Sequence, residues 1–150
     1  MMRGIVLVFS LIFLGVSLHA KGSIGALNYS SNGMLVQKKR LKIIAENVAN
    51  VVTHRTDKGE PYRKKYAIIV PDETKGGVRM VGVGESQAPF GKILDPSHIF
   101  ADEDGYLHLP NFELNDEMVN LSYTNVLYEA NTTVFKSSKQ MFQNTLELLK

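Results

Sequence analysis

The sequence predicts an α+β protein in which two long terminal helices, with coiled-coil-like spacing, flank a small β-rich middle unit. Three observations support this fold class. Apolar residues recur every seven positions in the N-terminal third, short segments of alternating β-branched and aromatic residues occupy the middle, and the run from Leu114 to Lys150 contains neither glycine nor proline. We divide the 150 residues into a signal-like segment (1–20), an N-terminal helix region (21–53), a β unit (54–112) and a C-terminal helix region (113–150).

The first twenty residues resemble a secretory signal. Arg3 gives a cationic start, and the segment from Ile5 to Val16 is apolar apart from one serine and one glycine. As a helix this segment would reach only about 20 Å, which is short for a hydrocarbon core of roughly 30 Å. Ala20 suits the position before a cleavage site, so we expect the mature chain to begin at Lys21. An uncleaved anchor and a misassigned start codon remain open alternatives.

The N-terminal helix is predicted between Ala26 and Val51. Pro is absent from this stretch, and small polar residues at 28–33 weaken its first turns, so the helix should be firmest from Met34 onward. The segment from Thr53 to Pro61 contains Asp, Gly and Pro without periodicity and ends it. The apolar residues at heptad spacing are Leu27, Met34, Leu41 and Val48, with Ile44 and Ala45 beside them.

Four strands are predicted in the middle of the chain. They are Tyr62–Val70, Gly77–Val83, Phe90–Leu94 and Tyr106–Leu109, and a loop rich in turn-forming residues separates the last two. A β unit of roughly 50 residues is marginal as an independent core. We therefore expect it to rest on another part of the structure.

The C-terminal helix, predicted over Leu114–Lys150, carries apolar residues on a face wider than a two-stranded coiled coil needs. Two heptad series lie side by side, because neighbouring residues stand about 100° apart around a helix. One N-terminal helix could cover only one of these faces, so we expect assembly with other subunits to cover the second. The first series is Leu121, Tyr128, Phe135, Phe142 and Leu149, and the second is Leu127, Val134, Met141 and Leu148.

Composition and motifs argue against several classes of function. A net charge of +2 is too small to predict binding to nucleic acid, and the absence of cysteine excludes thiol chemistry and disulfides. No serine has the local signature of a nucleophile, so we expect no catalysis and no small-molecule substrate; a hydrolase using His98 or His108 is the remaining enzymatic alternative. The loop that holds possible metal ligands lacks metal-site spacing and is interpreted as a solvated turn. Those ligands are His98, Asp102, Glu103, Asp104 and His108.

Asn47 and Asn50 are unusual at the end of the N-terminal helix, where Ala, Leu or Lys would make a better helix. Asn favours helix termination, and a buried Asn can also fix the register of packed helices. The two interpretations are compatible, and both require these side chains to form hydrogen bonds.

Several motifs together resemble bacterial flagellar axial proteins, of the type that builds the proximal rod of the basal body. The resemblance covers the chain from about Ser23 to Leu149. Its motifs are Asn47-Val48-Ala49-Asn50, Thr53-His54-Arg55-Thr56, Pro61-Tyr62-Arg63, Asp95-Pro96-Ser97-His98, Asp104-Gly105-Tyr106 and Tyr128-Glu129-Ala130-Asn131. The signal-like segment is a departure, since such proteins ordinarily carry no cleaved signal.

The resemblance implies a structural subunit without catalytic activity or cofactor, located in the flagellar basal body in the periplasmic space. Its partners would be further copies of itself and other flagellar rod proteins, with terminal helices packed into a helical tube. A signal-bearing periplasmic coiled-coil binding or adhesin-like protein is the alternative. The predicted assembly residues are Leu27, Met34, Leu41, Ile44, Asn47, Val48 and Asn50 in the first helix, and Leu121, Leu127, Tyr128, Glu129, Asn131, Val134, Phe135, Met141, Phe142, Leu148 and Leu149 in the second.

Overall fold

In the computed structural model, one long helix precedes two β-hairpins in the sequence and a second long helix follows them. The backbone is described for residues 2–148 and the side chains for residues 25–148. This order confirms the predicted α+β class. The elements are α1 (Met2–Ala49), β1 (Lys65–Pro71), β2 (Val78–Glu85), β3 (Gly91–Leu94), β4 (Tyr106–Leu109) and α2 (Leu114–Glu147).

Helix α1 continues through the polar stretch 28–33 that was expected to weaken it. Ser30 is compatible with the helix because its hydroxyl donates a hydrogen bond to the carbonyl of Ala26, at 2.7 Å. The side chains of the predicted signal at 1–20 lie outside the described residues. Within residues 25–148, no helix is long and apolar enough to cross a membrane.

The helices α1 and α2 pack against each other as an antiparallel hairpin. Asn47, near the end of α1, donates a hydrogen bond to Glu117, near the start of α2, at 2.8 Å. Toward the other end of this contact, Gly33 is buried against the side chain of Asn131. A Cβ atom added to Gly33 would lie 2.8 Å from the Cγ atom of Asn131, so glycine is needed for this close approach.

The β1–β2 hairpin rests on α1, in line with the expectation that the β unit needs support. Its strands are antiparallel, with a bulge between Ile68 and Ile69. At its tip, Asn32 of α1 donates a hydrogen bond from Nδ2 to the carbonyl of Gly76, at 2.7 Å. Gly76 has a φ of 77°, and a Cβ atom there would overlap the ring of Tyr29, so this turn also requires glycine.

Strands β3 and β4 form a separate antiparallel pair, so the middle of the chain holds two small sheets. The four predicted strands are all present, with shifted ends except at β4. The largest shift is at β1, which begins at Lys65 and not at Tyr62. The Lys64 amide donates to Oδ1 of Asn111 at 2.9 Å, and the Tyr62 side chain is buried, so these residues precede the strand ladder.

Candidate functional site

Helix α2 buries polar residues and exposes apolar ones. The residues of α2 that are buried within the chain are Glu117, Thr124 and Ser138. They lie on one side of the helix, because their spacings of 7 and 14 residues are close to two and four full turns. We call the most exposed apolar residues the outer stripe of α2. They are between 50 and 87 % exposed and comprise Val119, Tyr123, Val126, Val134, Met141 and, at the helix C-cap, Leu148.

The two heptad series of α2 lie on different sides of the helix. In the first series, Leu121, Phe135 and Phe142 are half-buried. They lie on the side of α2 that carries Glu117 and Thr124 and faces α1. Tyr128 lies at the edge of this side and is exposed. In the second series Leu127 is half-buried, whereas Val134, Met141 and Leu148 belong to the outer stripe.

The face of α1 that packs against α2 is centred one position away from the predicted heptad. Ser30, Gly33, Ile44 and Asn47 are buried on this face. Two of them, Ser30 and Gly33, are small, which permits close packing of the two backbones. The predicted heptad residues flank this face and are half-buried: Leu27, Met34, Leu41 and Val48.

The remaining predicted assembly residues are distributed over three environments. Asn131 is half-buried against Gly33, and Glu129 is exposed. Asn50 is half-buried just after α1, where its Nδ2 donates to the carbonyl of Glu46 at 2.8 Å. Leu149 lies outside the described residues. Contacts of all the predicted residues with a neighbouring subunit stay a prediction.

Asn47 is the centre of a buried polar cluster that joins α1, β1 and α2. Its Nδ2 donates to the carbonyl of Lys65 at 2.9 Å and to Glu117 Oε2 at 2.8 Å. Its Oδ1 accepts from the Tyr62 hydroxyl at 3.1 Å and from the Lys65 amide at 3.0 Å. These four bonds use both donors and both acceptor positions of the amide, so Asn47 fits only one arrangement of the three elements.

Glu117 is a buried carboxylate whose burial was not predicted from the sequence. It is 1 % exposed, and Lys64 Nζ lies 2.7 Å from its Oε1 atom. The amide of Asn120 donates a further hydrogen bond to Oε1 at 3.2 Å. A buried charge requires this degree of pairing, because removing one partner leaves an uncompensated ion.

The Tyr62 hydroxyl also belongs to this cluster. Burial raises the pKa of Tyr62 to about 12, with a further contribution from the negative charges of Glu46, Glu85 and Glu117. The phenol therefore stays in its neutral, hydrogen-bonding form to a higher pH than a free tyrosine does.

The loop with the possible metal ligands uses its main carboxylate to close a turn. Asp102 Oδ1 accepts hydrogen bonds from the amides of Tyr106 at 2.8 Å and Asp104 at 3.1 Å, and its Oδ2 lies 3.1 Å from His108 Nε2. The Tyr106 amide is the main reason why the pKa of Asp102 is lowered. Among the described side chains, no three His, Asp or Glu residues are arranged to hold a metal ion.

Comparisons with known proteins give one consistent result. The flagellar basal-body rod protein FlgC of Borreliella burgdorferi is 35 % identical to the chain, over 85 % of the chain and 98 % of that relative. FlgC of Salmonella typhimurium is 35 % identical over 79 % of the chain and 92 % of its own length, and FlgC of Aquifex aeolicus is 34 % identical over 83 % and 96 %. No family model matches the chain.

Proposed function

The chain belongs to the FlgC family of flagellar basal-body rod proteins, and on that premise we propose that it is a structural subunit of the proximal rod. In this proposal its terminal helices assemble into a helical tube that crosses the periplasm. Its partners are further copies of itself and other rod proteins. It has no catalytic role, and its surfaces serve packing.

The observation that carries this proposal is that α2 carries apolar residues on two faces, one toward α1 and one toward solvent. In a helix that serves only a soluble hairpin, the apolar side chains face the partner helix and the polar ones face water. Here Phe135 is half-buried on the face toward α1, while Val126 and Val134 of the outer stripe face outward. An apolar stripe along a helix of 34 residues, about 50 Å at 1.5 Å per residue, favours a surface that further subunits cover.

A tube also requires that the surfaces in contact differ from each other. When one surface of a subunit binds a different surface of the next, rotation and translation generate an open helical array. The outer stripe of α2 and the half-buried flank of α1, Leu27 to Val48, are two such unlike surfaces. We propose that they contact neighbouring subunits, and that residues 21–53 and 113–150 are the assembling regions while residues 54–112 form the unit attached to them.

The test is incorporation into the basal body of a strain that lacks its own copy of the protein. We expect Val134→Asp to abolish incorporation and motility, because a carboxylate buried without a partner costs several kcal/mol and weakens association by orders of magnitude. Lys136→Asp is the matched control: it places the same charge on an exposed position of the same helix, outside the stripe. Mass spectrometry of purified basal bodies measures the amount of each variant.

Two outcomes would contradict the proposal. The first is normal incorporation of Val134→Asp at matched expression. The second is absence of the unmodified protein from basal bodies, which would favour a separate periplasmic binding protein.

A further inference from the structure

Helix α1 carries a line of exposed residues on the side that faces away from α2. The residues are spaced alternately three and four positions apart, as on one seam of a coiled coil. Gly33, Ile44 and Asn47 lie on the other side of the helix, where they are buried against α2. The hairpin of α1 and α2 therefore leaves this line exposed. We call it the ridge of α1, and it comprises Leu35, Lys38, Lys42, Ala45 and Ala49.

The charge on the ridge is positive and has no partner in the described part of the chain. Lys38 and Lys42 are both exposed and four residues apart, and like charges at this spacing destabilise an isolated helix. No acidic residue precedes Glu46 in the sequence, and Glu46 pairs with Lys65. The ion pairs within residues 25–148 involve neither Lys38 nor Lys42. A negative surface of another molecule would offset this repulsion.

The outer stripe of α2 is bordered by the opposite charge. The sequence contains no lysine or arginine between residues 93 and 135. Asp116 and Glu129 are exposed beside the stripe, three positions from Val119 and Val126. Neither carboxylate takes part in an ion pair among the described side chains. The ridge of α1 and the outer stripe of α2 are therefore complementary in charge, and one chain cannot bring them together because they face away from each other.

The relative direction of the two surfaces in neighbouring subunits follows from the symmetry of a helical array. Subunits related by rotation and translation along one axis keep the same direction along it. Because α1 and α2 are antiparallel within a chain, α1 of one subunit and α2 of the next are also antiparallel when both follow that axis. An antiparallel register with Tyr123 opposite Ala45 places Val119 opposite Ala49, so large side chains meet small ones.

We propose that the ridge of α1 in one subunit binds the outer stripe of α2 in a second copy of the chain. In this register Glu129 lies opposite the interval between Lys38 and Lys42. The apolar residues supply the buried surface, and the opposite charges determine the register, since charge complementarity contributes to specificity more than to affinity. The inference rests on the proposed function, because it takes the neighbour to be another rod subunit of the same kind.

Disulfide crosslinking tests the register, because the unmodified sequence contains no cysteine. A chain with Ala45→Cys and Tyr123→Cys is expressed in a strain that lacks its own copy, and purified basal bodies are mildly oxidised. A disulfide needs Cα atoms less than about 7 Å apart, and the two positions face away from each other within one hairpin. We therefore expect crosslinks between copies, seen as multimers on a non-reducing gel.

The matched control for the crosslink is Ala45→Cys with Ser137→Cys. Ser137 is exposed on the same side of α2 as Tyr123, but it lies about 21 Å further along the helix at 1.5 Å per residue. This variant should run as a monomer on the same gel.

Exchange of the charges is a second test that does not depend on cysteine. Lys38→Glu together with Lys42→Glu places like charges against Glu129, and we expect the amount of this variant in basal bodies to fall about tenfold or more. Adding Glu129→Lys restores opposite charges and should return the amount to within about threefold of the unmodified chain. Lys39→Glu changes an exposed lysine off the ridge and should have little effect.

Three results would overturn the inference. They are absence of the crosslink from basal bodies that contain the Ala45→Cys and Tyr123→Cys chain in normal amount, an equal crosslink in the Ser137→Cys control, and a lack of rescue by Glu129→Lys. If the cysteine variant does not assemble, the charge exchange decides. Absence of the unmodified chain from basal bodies would instead overturn the proposed function, and this inference with it, so the two failures are distinguishable.

Discussion

The contact between Gly33 and Asn131 gives a sharp test of how α1 and α2 pack. Both residues lie inside helices, and a Cβ atom at position 33 would lie 2.8 Å from the Cγ atom of Asn131. Real Cβ atoms essentially never show such a distance, so one of the helices or the Asn131 side chain has to move. The Asn131 side chain is held by its own hydrogen bond, from Nδ2 to the carbonyl of Leu127 at 2.7 Å.

Two opposing effects determine the free energy of unfolding of Gly33→Ala. Replacing glycine by alanine inside a helix stabilises it by about 1 kcal/mol. Overpacking a tight contact costs about 1–3 kcal/mol. We therefore expect Gly33→Ala to destabilise the hairpin by about 1 kcal/mol when Asn131 is present. When Asn131 is first replaced by alanine the clash is gone, and the same substitution should stabilise by about 1 kcal/mol.

The assay is urea unfolding, followed by far-ultraviolet circular dichroism, at a concentration where the chain is monomeric. The four proteins are the unmodified chain, the two single variants and the double variant, which together give the coupling energy between positions 33 and 131. Gly25→Ala is the matched control, since a Cβ atom there meets only a ring atom of Tyr29, at 3.8 Å. It should stabilise α1 in both backgrounds. If Gly33→Ala also stabilises in both backgrounds, the helices do not pack in this register.

Three further predictions follow from other parts of the structure. Phe135→Asp should lower the helix content and the stability of the purified chain, measured by circular dichroism, because Phe135 is half-buried toward α1. Val134→Asp should leave both quantities unchanged, because Val134 is exposed. Equal loss in both variants would contradict the two-sided helix. Because the pKa of Tyr62 is raised in the folded chain, its contribution to the free energy of unfolding is fully present below pH 10 and should be lost as the pH rises from 10 to about 12. Urea unfolding of Tyr62→Phe should lack this part of the pH dependence, and a pH profile identical to that of the unmodified chain would refute the prediction. Peptide mapping of basal bodies should find the mature chain beginning at Lys21, and a terminus at Met1 or Met2 would show that no signal is removed.

The β strands could be predicted from the sequence because local patterns determine them. Strand β4 has the predicted bounds, Tyr106–Leu109, since it follows the turn at Gly105, whose φ of 81° suits glycine. The division into two separate sheets could not be predicted. It depends on which strands pair, and alternation of apolar residues carries no information about pairing partners.

The buried cluster was predictable only in part. Asn47 attracted notice because asparagine is a poor choice inside a helix, and the structure shows it fully hydrogen-bonded. Glu117 gave no such signal, because glutamate is an ordinary residue on the exposed surface of a helix. Its burial depends on Lys64, which is 53 positions earlier in the sequence and meets it only in the folded chain.

The position of the apolar heptads shows what periodicity can and cannot determine. The period of Leu27, Met34, Leu41 and Val48 correctly indicated a helix, but these residues flank the hairpin contact and do not form its centre. Small and polar residues such as Gly33 form the centre, because they allow the two backbones to approach closely. A hydrophobic period identifies an apolar face, and it does not say whether that face meets the same chain or another one. If neighbouring subunits cover this protein, apolar residues that α1 leaves exposed are free to serve the second purpose. The outer stripe of α2, including Val134 and Met141, is the side on which this distinction can be tested.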